Sequence, residues 1–294
     1  MIEELKNNLK EYYTQEEIDN ILKGYNIERY TTLRVNNLKS NINEIKEILT
    51  NNNINYEEVS WYQDALIIIN ANELDIQKLD IYKEGKIYLQ SLSSMLPPLI
   101  LNPKENSQIL DMCASPGGKT SEIASICHNN IMITAVEKDK IRFNKLKYNL
   151  ELQGVKKCSL LNIDALNLDN FYKFDKILLD TPCSGSGTYY KEIKYNKDYL
   201  NKLTNLQTKL LIKAISMLKE DSELVYSTCS IFKEENEQVI NKILNMNLGI
   251  EMVPIEGYNE LPRLSVTIPG SICLYPNKYY EGFYIIKLKK NKAR

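Results

Sequence analysis

The sequence predicts an α/β protein: a mostly parallel sheet with helices between its strands, preceded by a smaller α+β unit. Three observations carry this. From residue 107 onward the short apolar runs SQILDMC, IMITAVE, CSLLN, FDKILLD and SELVYSTCS alternate with helical stretches, as strands joined by crossover helices do. Before residue 90 the runs are shorter, and two strands follow each other directly. With 294 residues, 43% of them hydrophobic, the chain has ample material for a large core.

Residues 1 to 24 place Leu5, Leu9, Tyr12, Ile18, Ile21 and Leu22 at helical spacing, so two short helices are expected. Thr14 and Glu17 stand as a capping box for the second, and Gly24 as its stop. Next come a strand in YTTLRVN, a helix in NINEIKEILTNN, a short strand in YEEVS, a strand in ALIIIN, a helix in ELDIQKL and a last strand in KIYLQ. Strand-helix-strand-strand-helix-strand is the order of a ferredoxin-like or RNA-recognition-motif unit. Its strands lack the aromatic pattern that stacks bases, so a single-strand-reading sheet surface is not expected. The predicted boundaries are a helical segment over 1–27, the RNA-recognition-motif-like domain over 28–90 and the main α/β domain over 91–294. The last segment, RLSVTIPGSICLYPNKYYEGFYIIKLKK, offers two strand-like runs expected as an antiparallel edge pair.

Composition excludes several classes. Lys and Arg number 37 against 38 Asp and Glu, so a nucleic-acid partner has to be held by a local patch. The N-terminus lacks a basic-then-apolar signal, and no apolar run approaches the roughly 18 residues of a membrane span. A cytoplasmic protein, a monomer by default, is expected. The six cysteines (Cys113, Cys127, Cys158, Cys183, Cys229, Cys273) include no C-x-x-C pair, which argues for reduced thiols and against disulfides or a structural metal.

The first strand of the main domain runs into DMCASPGGKTSEIA, a small-residue turn that opens into a helix at about residue 119. Such a turn aims backbone amides at a ligand. Gly118, Lys119 and Thr120 look like the end of a phosphate-binding loop, but Cys113 stands where that loop needs glycine and Pro116 stiffens it. Glu137, at the end of the second strand and 26 residues after Asp111, is placed to accept hydrogen bonds from ribose hydroxyls. Asp164 and Asp180 follow the third and fourth strands. Singly, Asp111 could cap a turn and Asp164 could begin a loop. Together the acids line one sheet edge, which suits a cationic nucleoside such as S-adenosylmethionine and repels a triphosphate.

Cys183 follows the fourth strand and Cys229 the fifth, each with a serine after it. Either could be inert packing. Two thiols beside a methyl donor point to attack on carbon 6 of a pyrimidine, which makes carbon 5 nucleophilic enough to accept a methyl group. A free thiol is only a few per cent ionised at neutral pH. The sole histidine, His128, is expected in a surface loop, which leaves the sulfonium, Lys119 or a helix N-terminus near Lys233 as activators. Spacing alone does not choose between the two thiols.

The stretches DMCASPGGKT, EKDKIRFNKLKYNLELQG, DTPCSGSGT and STCSIFKEENEQVI resemble, in order and spacing, the Sun/Fmu/RsmB-type (NSUN group) RNA cytosine-5 methyltransferases. TLRVNNLK, QSLSSMLPP and YPNKYYEGFYI extend the resemblance over residues 30 to 288. It implies a Rossmann-like class I methyltransferase fold acting on ribosomal or transfer RNA. By the same resemblance Cys113, Ala114, Ser115, Pro116, Gly117, Gly118 and Lys119, with Glu137, Arg142, Asp164 and Asp180, bind S-adenosylmethionine. Cys229 is then the attacking nucleophile, Cys183 assists release of the product, and Lys119 and Asp180 stand close to the target base. The chain departs from the family pattern at Ser91, usually Asp, and at Cys273 and Asn277, usually Arg and His, positions that bear on RNA contacts. Two rival functions are a non-catalytic RNA-binding or assembly factor, for which the cysteine pair has no use, and a P-loop NTPase, for which the loop residues are wrong.

Overall fold

The computed structural model of the chain describes residues 2–188 and 196–292, arranged around two sheets. Helices α1 (Ile2–Lys10) and α2 (Gln15–Tyr25) come first. The capping box forms: Glu17 N donates to Thr14 Oγ1, and Thr14 N to the Glu17 carboxylate at 2.8 Å. Leu5, Leu9, Ile18, Ile21 and Tyr25 bury against the large sheet, so the pair braces the larger unit. Gly24 does not stop α2, which continues to Tyr25. A Cβ there would lie 1.6 Å from the Pro276 carbonyl oxygen; the glycine serves a close backbone approach instead.

The small unit comprises β1 (Thr31–Val35), α3 (Ile42–Asn51), β2 (Tyr56–Glu58), β3 (Ala65–Ile68), α4 (Glu73–Lys78), the single turn α5 (Asp80–Lys83) and β4 (Ile87–Leu89). Its strands lie in the antiparallel order β2-β3-β1-β4, the expected ferredoxin-like topology. Leu33, Val35, Leu66 and Ile68 face Ile45, Leu49 and Ile76 of the helices. Ala65 and Ile67, on the other face, pack against Leu92 and Met95. All five residues of β1 are buried, so the middle of this sheet is covered, while Tyr88 and Leu89 of β4 are half-buried at the border of a cleft.

Leu92 and Met95 belong to α6 (Leu92–Leu101), a helix that holds Pro97 and Pro98. Proline pairs argue against a helix interior, and the sequence gives no hint of one here. Burial of Leu92, Met95, Leu96 and Leu101 overrides that cost. The Ser94 carbonyl, which Pro98 deprives of its helical donor, accepts from Gln90 Nε2 at 3.2 Å.

The large unit follows as β5 (Gln108–Asp111), α7 (Gly118–Ile126), β6 (Met132–Val136), α8 (Lys140–Gln153), β7 (Cys158–Leu161), β8 (Phe174–Asp180), α9 (Lys197–Met217), β9 (Leu218–Thr228), α10 (Glu237–Leu244), β10 (Ile250–Val253), β11 (Ile272–Leu274) and β12 (Phe283–Lys290). The order β10-β12-β9-β8-β5-β6-β7 is parallel from β9 to β7. One face carries α1, α2, α9 and α10, the other α6 and α7. The last two runs do pair antiparallel, but not as an edge. β12 lies inside, against β9 on one side and β10 and β11 on the other, because Phe283 to Ile286 are buried in succession. β10 escapes sequence reading because IEMV, with Glu251 exposed and the other three residues half-buried, forms neither a bounded apolar run nor a clean alternation. The chain order reverses at β5, whose neighbours are β6 and β8; a ligand crevice opens at the carboxyl end of such a switch point. Among the described residues no helix is long and apolar enough to cross a membrane.

Candidate active site

The turn after β5 is tied down by α7 on one side and α8 on the other. Thr120 Oγ1 donates to the buried Asp111 carboxylate at 2.7 Å, fixing the first turn of α7 on its strand. Burial pushes Asp111 up to about 6 against that hydrogen bond and the charge of Lys119. Arg142 Nη2 donates to the Ser115 carbonyl at 3.1 Å, and Ser115 Oγ to the Arg142 carbonyl at 2.9 Å. Gly117 takes φ +106° just before α7, where a Cβ would stand 3.1 Å from Leu146.

Two hollows meet at this turn. A cleft of about 790 Å³ is lined by Asp111, Cys113, Ala114, Ser115, Pro116, Gly118, Lys119, Asp180 and Cys229, with residues of the small sheet forming the opposite wall. A pocket of about 40 Å³ is bordered by Cys113, Glu137, Arg142, Asp164, Pro182 and Leu210. Cys113 belongs to both, and burial, with nearby Asp111 and Asp180, pushes its thiol far above the ordinary cysteine range. The Glu137 carboxylate accepts from Asp139 N at 2.9 Å and lies 3.5 Å from Arg142 Nε. Asp164 caps a short 3-10 turn by accepting from Leu166 N and also borders the small pocket.

Lys119, Asp180 and Cys229 line the cleft, and Cys183 stands beside Cys229. Cys183 Sγ and Cys229 Sγ stand 3.1 Å apart, and both cysteines are free thiols. The Cys183 thiol is pushed well above the ordinary range, first by its hydrogen bond to Cys229 and then by burial. Lys119 Nζ donates to Asp180 Oδ2 and to Ser94 Oγ, both at 2.7 Å, and sits 5.5 Å from the Phe283 ring centroid. Burial pulls Lys119 down, but the Asp180 carboxylate outweighs this with Asp111 and Cys229 adding, so its pKa rises and it stays cationic beside the thiols. Ser227 Oγ donates to Asp180 Oδ1 at 2.6 Å and holds the carboxylate in place.

The expected helix N-terminus near Lys233 is not there. Residues 233–236 form a turn, α10 begins at Glu237, and Lys233 is buried with its ammonium 4.9 Å from the Tyr13 ring centroid. His128 is exposed in the turn after α7, at the opposite end of that helix from Lys119. Of the expected activators that this chain itself supplies, Lys119 is the one that interacts electrostatically with Cys229. Among the described residues no group of three or more His, Cys, Asp or Glu is arranged to hold a metal ion.

Residues 98–289 match the family described as 16S rRNA methyltransferase RsmB/F, and residues 5–75 match the ferredoxin-like domain of RsmF/B-like methyltransferases. The chain belongs to the RsmB/F methyltransferase family. It is 32% identical to a tRNA (cytosine(49)-C(5))-methyltransferase of Pyrococcus abyssi over 88% of each chain. It is 33% identical to a 28S rRNA (cytosine-C(5))-methyltransferase of Mus musculus, covering 97% of this chain and 38% of that protein. The chain thus spans well under half the length of the mouse relative, and half that of a Schizosaccharomyces pombe 25S rRNA (cytosine-C(5))-methyltransferase. Among solved structures, a methyltransferase homolog protein from Pyrococcus horikoshii superposes with a TM-score of 0.84 at 32% identity, over 95% of this chain and 92% of that one.

Within this RsmB/F-family fold the three departures from the family pattern have internal roles. Ser91 caps α6 and donates to Glu281 at 2.8 Å. Cys273 is buried beside the Tyr13 hydroxyl. Asn277 accepts from Tyr279 N and Tyr280 N. Sequence reasoning missed Ser94, Ser227 and Glu235. Ser94 lies on the unforeseen α6, and Ser227 carries no spacing signal. Glu235 sits in KEENE, which looks like a solvated charge run yet is fully buried here.

Proposed function

We propose that this chain transfers a methyl group from S-adenosylmethionine to carbon 5 of a cytosine in ribosomal or transfer RNA, through a covalent bond between Cys229 and carbon 6. The observation that carries this reading is the contact of Cys183 and Cys229 at 3.1 Å, beside a lysine-aspartate pair that lines the same cleft as Cys229. A scaffold that only bound RNA would have no use for two apposed thiols.

The donor set fits the cofactor. Glu137 and Asp164 border the small pocket and can accept from ribose hydroxyls and the adenine amine, while the Ser115–Gly118 turn and Asp180 face the wider cleft, where a cationic amino-acid end is favoured. When bound, S-adenosylmethionine supplies an electrophilic methyl group.

The residues would divide the work as follows. Lys119 stabilises the Cys229 thiolate, whose addition to carbon 6 shifts electron density onto carbon 5. Cys183, its thiol held protonated by Cys229 and burial, assists when the carbon–sulfur bond breaks after loss of the carbon 5 proton. Asp180, held by Ser227 and Lys119, contacts the cytosine edge. The base has to leave its stack to reach Cys229, so an unpaired stretch is the preferred target. In this reading residues 91–294 carry the chemistry, and residues 28–90, behind the helical segment 1–27, add a wall of the RNA cleft.

The test is nucleoside mass spectrometry of ribosomal and transfer RNA treated with the protein and labelled cofactor. 5-Methylcytidine should form with the wild type and not with Cys229→Ala. Methyl transfer at an unchanged rate by that variant would refute the assignment.

A further inference from the structure

Each reactive cysteine is followed by a serine, and both serines converge on one buried carboxylate. Glu235 Oε2 accepts from Ser184 Oγ at 2.5 Å and from Ser230 Oγ at 2.6 Å. Oε1 accepts from Ser184 N at 2.8 Å and from Gln207 Nε2, on α9, at 3.1 Å. Four donors therefore meet a side chain with no solvent exposure; Gln207 Nε2 is shared with the Pro182 carbonyl at 3.0 Å, and Ser186 Oγ lies 2.7 Å from Ser230 Oγ. The Glu235 backbone is tied as well, its carbonyl accepting from Tyr226 Oη at 2.7 Å. Gly187 N donates to the Cys229 carbonyl at 2.9 Å, a further stitch between the same two loops.

We propose that Glu235 is the positioning residue of the thiol pair, clamping Ser184 and Ser230 so that Cys183 and Cys229 are held sulfur to sulfur. The loops after β8 and β9 are also joined by Ile231 N donating to Ser186 Oγ at 3.0 Å and by the contact of the Ser186 and Ser230 hydroxyls at 2.7 Å, but the Glu235 carboxylate bonds both residues that directly follow the two cysteines. Charge-assisted hydrogen bonds to a buried carboxylate are short and strong, and a satisfied buried network specifies one geometry where a surface contact would allow many. The clamp also brings a carboxylate near Cys183, which favours the protonated thiol there. The catalytic consequence rests on the proposed methyl transfer; the geometric one does not.

The experiment uses the full chain with Glu235→Gln, and with the double variant Ser184→Ala, Ser230→Ala. Oxidised dithiothreitol reads the sulfur separation directly. Cys183 and Cys229 give up two protons and two electrons to form a disulfide, and the reagent's own disulfide takes them up to become the dithiol. Closure, followed by peptide mass spectrometry, should be at least about tenfold slower in both variants, because disulfide formation tolerates little departure from its geometry. In methyl-transfer assays kcat should fall on the order of 100-fold with KM for RNA unchanged, as expected for misplaced reacting atoms. If Glu235→Gln does not fold, the serine double variant, which keeps the carboxylate and its Ser184 N and Gln207 bonds, carries the test. A folded variant that closes at the wild-type rate overturns the clamp. Slow closure in the variants with no methyl transfer by the wild type upholds the clamp and refutes the proposed reaction instead.

Discussion

Lys119 and Asp180 form an ion pair of 2.7 Å between the first turn of α7 and the end of β8. Their side chains are only 13% and 26% exposed, so the pair is partly desolvated, and the turn after β5 and the end of β8 are tied into one unit. Asp180→Asn keeps the shape and removes the charge. It should lower kcat by about 10²- to 10⁴-fold, the range lost with a positioned acid-base or electrostatic group, while the melting temperature moves by a few degrees. Steady-state kinetics and calorimetry check this; a kcat within threefold of the wild type would contradict it.

The acids around the small pocket should select the ligand. S-adenosylmethionine at 100 times its dissociation constant should stabilise the fold by about 2.7 kcal/mol, and ATP should not. Glu137→Ala removes a hydrogen-bonded carboxylate from that pocket and should weaken cofactor binding by about 1.5–3 kcal/mol. Isothermal calorimetry gives the number, and equal affinity in the variant would remove Glu137 from the site.

Arg34 of β1 reaches Glu122 of α7 at 3.9 Å, both fully buried, and Gln90 Nε2 donates to the same carboxylate at 2.7 Å. Burial pushes Glu122 up to about 8 against the pull of Arg34 and Gln90, from an ordinary 4.5. The raised pKa fixes the sign. Between those values the folded chain keeps a proton that the unfolded chain has lost, so the contribution of Glu122 to stability is greatest at low pH and declines until about pH 8. Glu122→Gln does not titrate. Its stability relative to the wild type should rise with pH by up to about 1.4 kcal/mol per unit between pH 5 and 8, then level off. Urea unfolding at several pH values measures this, and a pH-independent difference would contradict it.

Gly187 lies where a Cβ would stand 1.8 Å from the Gly282 carbonyl oxygen. Gly187→Ala forces two backbones apart beside the thiols and should cost about 1–3 kcal/mol or more in denaturant unfolding. An unchanged denaturation midpoint would show that the loops yield freely.

Strand and helix alternation was legible because β5 to β9 are apolar runs bounded by turn residues, and the capping box at Thr14 is a local signal that needs no tertiary context. What escaped depended on tertiary context. Pro97 and Pro98 hide α6 because burial and the Gln90 side chain compensate for them. The inner place of β12 follows from pairing with β9, 55 or more residues away in the chain. The motifs placed Cys183 and Cys229 at one sheet edge, but periodicity carries no distances, so their contact at 3.1 Å was not legible. Glu235 was hidden for the same reason: its donors come from three separate segments, Ser184, Gln207 and Ser230.

The central claim is that Cys229 attacks and Cys183 releases. Cys183→Ala, incubated with RNA and S-adenosylmethionine, should accumulate a protein–RNA adduct that shifts on a denaturing gel, and digestion followed by mass spectrometry should place the nucleotide on Cys229. An adduct absent from Cys183→Ala, or formed by Cys229→Ala and mapped to Cys183, would contradict the account.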